Sequence, residues 1–284
     1  MANIRDIKTR IDSVTSTRQI TNAMKMVAAA KLRKSQNRIV AARPYANHIN
    51  EMLRILKKKN KTSLHPLLDE TDTDGKRALI VVTADKGLCG SFNSVVLRRA
   101  TSYLKDHPDV DVICLGKKGY EFLRKRHGSI VKHYLDLFNE MDFSVTKDVA
   151  DYALQLYMEE DYSRIDVLYN EFKSAIQQDL VIKPLLPIIP TENEEVSTMD
   201  FVYEPDEDAI VEELGYKYIH VEIWRIMLES SAAEQGARMT AMDSATDNAS
   251  DLISMLSLQY NRARQASITN EIIEIASGAE AINN

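Results

Sequence analysis

The chain has 284 residues, a formal charge of −6, 44% hydrophobic and 27% charged residues, a balance that excludes a wholly disordered chain and suits one or two domains. Two cysteines, Cys89 and Cys114, exclude a disulfide-dense scaffold and a four-cysteine zinc site. No apolar run approaches a membrane span of ~18 residues, and Met1–Asp6 lack the apolar core of a secretory signal, so a soluble, unsecreted protein in a reducing compartment is expected.

The charge is unevenly divided. Through Asn60 there are 14 Lys/Arg against Asp6, Asp12 and Glu51, a net of +11, leaving −17 for the rest. A basic head on an acidic body points to an acidic or polyanionic partner.

In chain order, the first element is a long helix from about Ile4 to Leu56. Ile4, Ile7, Ile11 and Val14 step by three and four, as do Ala42, Ala46, Ile49, Leu53 and Leu56, the stripe of a coiled-coil seam. The stripe is expected to change phase between Arg18 and Leu32, where Ile20, Ala23, Met24 and Val27 take over. Pro44 should kink or reposition this helix rather than end it.

All nine glycines lie at Gly75 or later, and six of them fall with four prolines between Gly75 and Pro190. That breaker-rich middle alternates strands with helices. Strands are expected at 77–83, 110–115, 130–138 and 164–172, with a weaker one at 180–186. Helices fit at 92–105, 117–126 and 146–159. The alternation argues for a small α/β domain with a largely parallel sheet.

Ten acids and no base lie between Glu192 and Glu213, a solvated linker leading into a second long helix from about Asp206 to Ala281. Its stripe runs through Ala249, Ile253, Leu256, Tyr260 and Ala263, then Ile268, Ile272, Ile275, Ala279 and Ile282. Such a helix would measure roughly 110 Å at 1.5 Å per residue, against a compact globule only about 50 Å across. It must project, and the first helix is its natural antiparallel partner. The division is therefore 1–60 as one arm, 75–190 as the inserted domain, 191–205 as an acidic linker and 206–284 as the other arm. Apolar positions continuing to Ile282 imply burial of the tip in something else, because free termini are ordinarily polar.

Chemical motifs are sparse. Thr83–Asn93 follows a strand and opens a helix, where α/β folds cradle phosphates, yet it has neither dinucleotide nor nucleotide-triphosphatase spacing. Cys89 has no evident base, and His127 and His133 lack metal-ligand spacing. Catalytic, metal and cofactor sites are therefore not expected. Lys31, Lys34 and Arg38 share a helical face with Arg33 beside them, without interleaved aromatics for base stacking. Three readings stand at this point: an interaction shaft, a phosphate-binding enzyme with helical arms, and a nucleic-acid-binding coiled coil.

Several segments carry a resemblance. Ile4–Ile11 and Gln19–Arg33 resemble the amino-terminal helix of F-type ATP synthase gamma subunits. Ala233–Met242, Asp247–Ala249 and Tyr260–Glu271, ending Ser277-Gly278-Ala279, resemble their carboxy-terminal helix, and Asp85–Gly90 resembles a turn of their middle domain. Asn270 stands where that family often has Gln, and Gly236 occupies a small-residue position within a helix. With neither a transit peptide nor an inserted cysteine pair, a bacterial form is implied.

The resemblance implies a long antiparallel coiled coil with an inserted small Rossmann-like α/β domain, turning inside a ring of alpha and beta subunits and coupling ion flow to ATP synthesis. It implies a non-catalytic chain at the cytoplasmic face of the cell membrane, with the epsilon subunit and the membrane c-ring as further partners, no nucleic acid and no cofactor. Ring contacts are expected from Met24, Lys25, Lys31, Arg33, Lys34, Arg262, Arg264, Thr269, Asn270, Glu271, Glu274 and Ile282. The turn Asp85, Lys86, Gly87, Leu88, Cys89 and Gly90 is expected to face epsilon and the c-ring.

Overall fold

The computed structural model describes residues 4–59, 65–68, 75–127, 129–138, 141–160, 162–189 and 207–283, apart from the side chains of 58–59, 207–208 and 279–283. The bulk of the acidic linker lies outside those residues. The elements run α1 (Ile4–Lys59), β1 (Lys76–Val82), α2 (Phe92–Asp106), β2 (Asp111–Leu115), α3 (Lys117–Leu123), β3 (Ile130–Tyr134), α4 (Phe143–Glu159), β4 (Tyr162–Phe172), β5 (Gln178–Leu186) and α5 (Glu207–Asn283). The chain divides into two compact units, one of residues 28–238 and one of residues 1–27 with 239–284.

The larger unit is built on a five-stranded sheet in the order β3-β2-β1-β4-β5. The first four strands are mutually parallel and β5 returns antiparallel to β4. Alternation along the strands sorts the core into two layers. Leu79, Val81, Val112, Cys114 and Leu168 meet Val96, Ala100 and Leu104 of α2 and Leu123 of α3. On the opposite face Ile80, Val82, Ile113, Leu115, Val167 and Tyr169 meet Val149, Ala150 and Ala153 of α4, Leu53 and Leu56 of α1, and Ile219, Ile223 and Ile226 of α5. The long helices thus serve as one covering layer of a doubly covered sheet, the arrangement parallel sheets require.

Two elements stop earlier than the sequence suggests. The strand expected through Phe138 ends at Tyr134, because Asp136 has φ of 59° and the N–H groups of Asp136 and Phe138 are taken by the Asp85 carboxylate. The helix expected through Arg126 ends at Leu123 and continues only as turn. Conversely, α4 starts at Phe143, where Asp142 caps it by accepting a hydrogen bond from the Phe143 N–H at 2.7 Å.

The expected phase change in α1 is corrected. Ile20, Met26 and Val27 are 60%, 64% and 57% exposed, and Ala23 is exposed too. The covered positions are Ile7, Ile11, Val14, Arg18, Thr21 and Lys25 in the smaller unit. In the larger unit they are Ala28, Leu32, Ser35, Ile39, Ala42, Ala46, Ile49, Leu53 and Leu56. These follow one unbroken alternation of four and three, a heptad seam read straight through α1. Polar residues at Thr21 and Lys25 disguise it. The helix passes Pro44 and ends at Lys59.

Candidate functional site

In the smaller unit α1 and α5 lie antiparallel. Thr21 Oγ1 lies 2.8 Å from Thr246 Oγ1, and Lys25 Nζ donates to Asp243 Oδ1 at 2.5 Å. Polar residues at seam positions fix register at a cost in stability, and here both find partners. Met242, Ala249 and Leu256 of α5 are buried at the same seam, as is Ile7 of α1. Lys25, expected on an outward basic face, is thus held by its own chain, and Met24 is half-buried.

Farther along α5 of this unit, Arg262, Arg264, Thr269, Asn270, Glu271 and Glu274 are all exposed. Thr269 Oγ1 donates back to the Gln265 carbonyl at 2.9 Å, and Ser267 Oγ donates to Glu271 at 3.3 Å. Ile268, Ile272 and Ile275 are 47%, 60% and 73% exposed. The Ile282 side chain lies outside the described residues. The register at Thr21 and Thr246 sets Ile4 opposite about position 263, so α5 runs on for about twenty residues beyond the described start of α1.

In the larger unit, Lys31, Arg33 and Lys34 are exposed and make no ion pair among the described residues. Lys31, Lys34 and Arg38 line a cleft of about 400 Å³ with Ser35, Ser231 and Gln235. Ser35 and Ser231 approach at 3.3 Å, tying α1 to α5, and Arg38 Nη1 donates to the Met141 carbonyl at 2.9 Å. The expected basic face is therefore reduced to Lys31, Arg33 and Lys34 as free cations.

The turn after β1 is an internal brace. Asp85 is buried, and its carboxylate accepts from the backbone N–H groups of Lys117 at 2.9 Å, Asp136 at 3.0 Å and Phe138 at 3.2 Å. One carboxylate thereby joins the start of α3 to the loop after β3. Leu88 and Gly90 take positive φ values of 61° and 56°, which lets the chain fold back so that Cys89 packs with Ala84, Phe92 and Ala233 of α5. Burial pushes the Cys89 thiol up, and Asn93 Nδ2 donates to its sulfur at 3.3 Å, so it is an inert packing residue. Lys86, Gly87, Leu88 and Gly90 remain exposed.

Arg238 of α5 secures this turn. It is 9% exposed, donates Nη2 to the Gly87 carbonyl at 3.2 Å, and pairs with Glu234 at 2.6 Å. The turn thus presents carbonyl oxygens to a cation, the opposite of a phosphate cradle. We expect Asp85→Ala to lower the stability of the chain by about 2 kcal/mol, since three N–H groups around a partly buried site lose one shared acceptor. Asp85→Asn, which keeps one carbonyl oxygen, should cost less than half of that in urea unfolding.

A charged ladder on α5 escaped the sequence reading. Glu222, Arg225 and Glu229 stand three and four residues apart, so they share one helical face. Arg225 grips Glu222 with two hydrogen bonds at 2.8 and 2.9 Å, and donates to Glu229 at 2.9 Å. Lys183 of β5 adds an ion pair to Glu222. Burial alone would push the Glu222 carboxyl up, but the hydrogen bonds from Arg225 and the Lys183 charge outweigh it and hold it at about 2. Burial pushes Glu229 and Glu234 up against the pull of Arg225 and Arg238, and each keeps one oxygen without a hydrogen bond among the described residues. The spacing E-x-x-R-x-x-x-E was the available signal; nothing in the sequence said that it would be buried.

These shifts fix a pH dependence. An acid held low supplies stability that is complete above its ordinary value of 4.5 and lost as pH falls toward about 2. Glu229 and Glu234, displaced upward, act in the other sense, losing stability as pH rises above 4.5. Between pH 5 and 2.5 the chain should lose about 2 kcal/mol more than Glu222→Gln does, measured as the difference between the stability changes of the two proteins over that interval.

Among the described residues no group of three His, Cys, Asp or Glu side chains is arranged to hold a metal, and no helix is long and apolar enough to cross a membrane. A sequence model of the family described as ATP synthase matches residues 3–282. The ATP synthase gamma chain of Prosthecochloris aestuarii is 47% identical over 289 residues, covering 99% of each chain. That of Pelodictyon phaeoclathratiforme is 48% identical over 291 residues, covering 100% of each. The chain belongs to the ATP synthase gamma-chain family. It is accordingly of the non-catalytic kind, and the enzyme and nucleic-acid readings lapse.

Solved structures agree in fold. The central stalk and c-ring structure of the Tetrahymena thermophila mitochondrial ATP synthase contains a chain matching with a TM-score of 0.61 at 25% identity, over 80% of this chain and 99% of that one. A chain of the Euglena gracilis mitochondrial ATP synthase matches with a TM-score of 0.68 at 21% identity, over 98% and 94%. The expected fold class, two long terminal helices with an inserted α/β domain, holds.

Proposed function

We propose that this chain is the turning central shaft of a membrane-associated ATP synthase, carrying ion-driven rotation to a catalytic ring of alpha and beta subunits. One observation carries the reading: a seam locked in register at Thr21–Thr246 and Lys25–Asp243, from which α5 runs on with Ile268, Ile272 and Ile275 exposed. Packed antiparallel helices resist twisting through interlocked side chains. An exposed apolar helix face demands an apolar surround, which a ring around the tip would supply.

In this reading 1–60 and 206–284 form the shaft, 75–190 the domain that meets neighbours at its foot, and 191–205 an acidic linker. Lys31, Arg33 and Lys34 face acidic loops of beta, with Met24 on the same helix, while Lys25 holds the seam through Asp243. Arg262, Arg264, Thr269, Asn270, Glu271, Glu274 and Ile282 meet the ring. Lys86, Gly87, Leu88 and Gly90 are available to epsilon and the c-ring, with Asp85 and Cys89 bracing them from within. The complex sits peripherally on the cytoplasmic face of the cell membrane.

Affinity purification of this chain from detergent-solubilised membranes tests the assembly. Alpha, beta, epsilon and c subunits should accompany it in fixed proportion, and Lys31→Ala with Lys34→Ala should alter assembly or coupling. Recovery of the chain alone under conditions that keep other membrane complexes intact contradicts the reading.

A further inference from the structure

We propose that the groove between α2 and α3 is a docking site for an acidic amphipathic helix of a protein partner, separate from the contacts assigned above. The groove has a volume of about 820 Å³. Its lining combines the apolar Leu97 and Phe122 with the cations Arg98, Lys118, Lys125 and Arg126 and one acid, Glu121. The Arg126 guanidinium lies 3.8 Å from the Phe122 ring centroid and donates to the Phe122 carbonyl at 3.3 Å, so its charge is held beside the apolar lining. Lys118 is paired with Glu121 at 3.3 Å. Arg98 and Lys125 make no ion pair among the described residues, and both are exposed.

Charge complementarity decides what the groove fits. From Phe92 to Arg126 there are eight Lys/Arg and four acids, whereas the whole chain beyond Asn60 carries −17. A basic island on an acidic body attracts an acidic segment and repels others, and that contrast supplies selectivity. The apolar lining adds a demand that a purely acidic tail does not meet. An amphipathic helix does, by seating residues at i and i+3 or i+4 on Leu97 and Phe122 while carboxylates on its flanks reach Arg98 and Lys125. Nucleic acid is a poorer fit, because Phe122 is the single aromatic among the lining residues, leaving no second ring on which successive bases could stack. A bilayer is also a poorer fit, because Leu97 is only 8% exposed and cannot insert into the acyl region.

The test uses the full-length chain and a fluorescein-labelled 20-residue peptide with leucines at i, i+4, i+7 and i+11 and glutamates on the flanking positions. Fluorescence anisotropy at 0.15 M salt should show micromolar binding. Binding should weaken at least tenfold for the scrambled peptide and for the Arg98→Glu, Lys125→Glu double variant. It should be unchanged in Lys31→Glu with Lys34→Glu. Both groove cations are exposed, so the double variant should melt as the parent does. A second variant, Thr101→Cys carrying a bulky maleimide, should block the peptide without changing charge; Cys89 and Cys114 are buried and will not compete for the label.

Equal binding of the scrambled peptide, indifference to the Arg98→Glu, Lys125→Glu variant, or no binding below 100 µM peptide (about 5 kcal/mol of affinity) overturns the proposal. So does capture of phosphatidylglycerol vesicles or of a dT20 oligonucleotide that those two substitutions abolish while the peptide fails to bind.

Discussion

Replacing Ala249 by proline should abolish ion-driven ATP synthesis in an assembled complex. Ala249 is buried, with Met242 and Leu256, along the seam of α5. Proline there removes the hydrogen bond to the Ala245 carbonyl and drives its ring into that carbonyl, at a cost of about 3 kcal/mol or more and with a kink. Because Thr246 and Asp243 lie within two turns of the site, the kink also pulls at the contacts with Thr21 and Lys25 that hold register. We expect synthesis in inverted vesicles to fall at least tenfold while the complex still assembles. Ala249→Gly, which costs only about 1 kcal/mol without a kink, should leave synthesis near the parent rate. Parent-level synthesis by Ala249→Pro contradicts a shaft that works by stiffness.

The second large effect lies in the sheet. Gly116 follows β2 with φ of +98°, and a Cβ there would stand 2.0 Å from the Thr83 carbonyl oxygen. That carbonyl belongs to backbone at the end of β1, where Thr83 N–H donates to Leu115 O at 2.8 Å and Thr83 Oγ1 accepts from the Gly119 N–H at 2.8 Å. The clash cannot be relieved by a side-chain rotation. It must separate β1 from β2 or break the start of α3. Gly116→Ala should therefore destabilise the chain by about 4 kcal/mol or more, read as the urea midpoint of the sheet unit. Gly87→Ala, which meets nothing within 4 Å, is the matched control and should move the midpoint little.

The course of the chain was readable because its breakers are segregated. Glycine and proline crowd the middle, so the two helices and the five strands announce themselves, and β1, β2 and α2 fall within a residue or two of expectation. The seam was harder. Counting apolar residues alone put Ile20 and Val27 inside and invented a phase change, whereas the true seam continues through Thr21 and Lys25. Polar seam residues are invisible to a hydrophobic count; only the partner strip, with Thr246 and Asp243, reveals them. Strand β3 ends earlier than its apolar run suggests for a related reason, since its end is set by a carboxylate about 50 residues earlier, at Asp85.

The functional surface was legible in part. Lys31, Arg33 and Lys34 are exposed and make no ion pair among the described residues, whereas Lys25 and Arg38 are occupied by Asp243 and by the Met141 carbonyl. The turn at Asp85–Gly90 lacks nucleotide-binding spacing in the sequence, and in the structure it is a joint held by Arg238. The buried ladder of Glu222, Arg225 and Glu229 had a readable spacing and an unreadable environment. Its surroundings include Lys183 of β5 paired with Glu222, a long-range contact with no local signature.

Rotation of the chain itself is the most direct test. Ser102 is exposed on α2 and both native cysteines are buried, so a bead attached through Ser102→Cys reports one site. With the alpha and beta ring fixed to a surface and ATP supplied, the bead should turn through complete revolutions in one direction. A ring that hydrolyses ATP while the bead stays stationary would contradict the shaft.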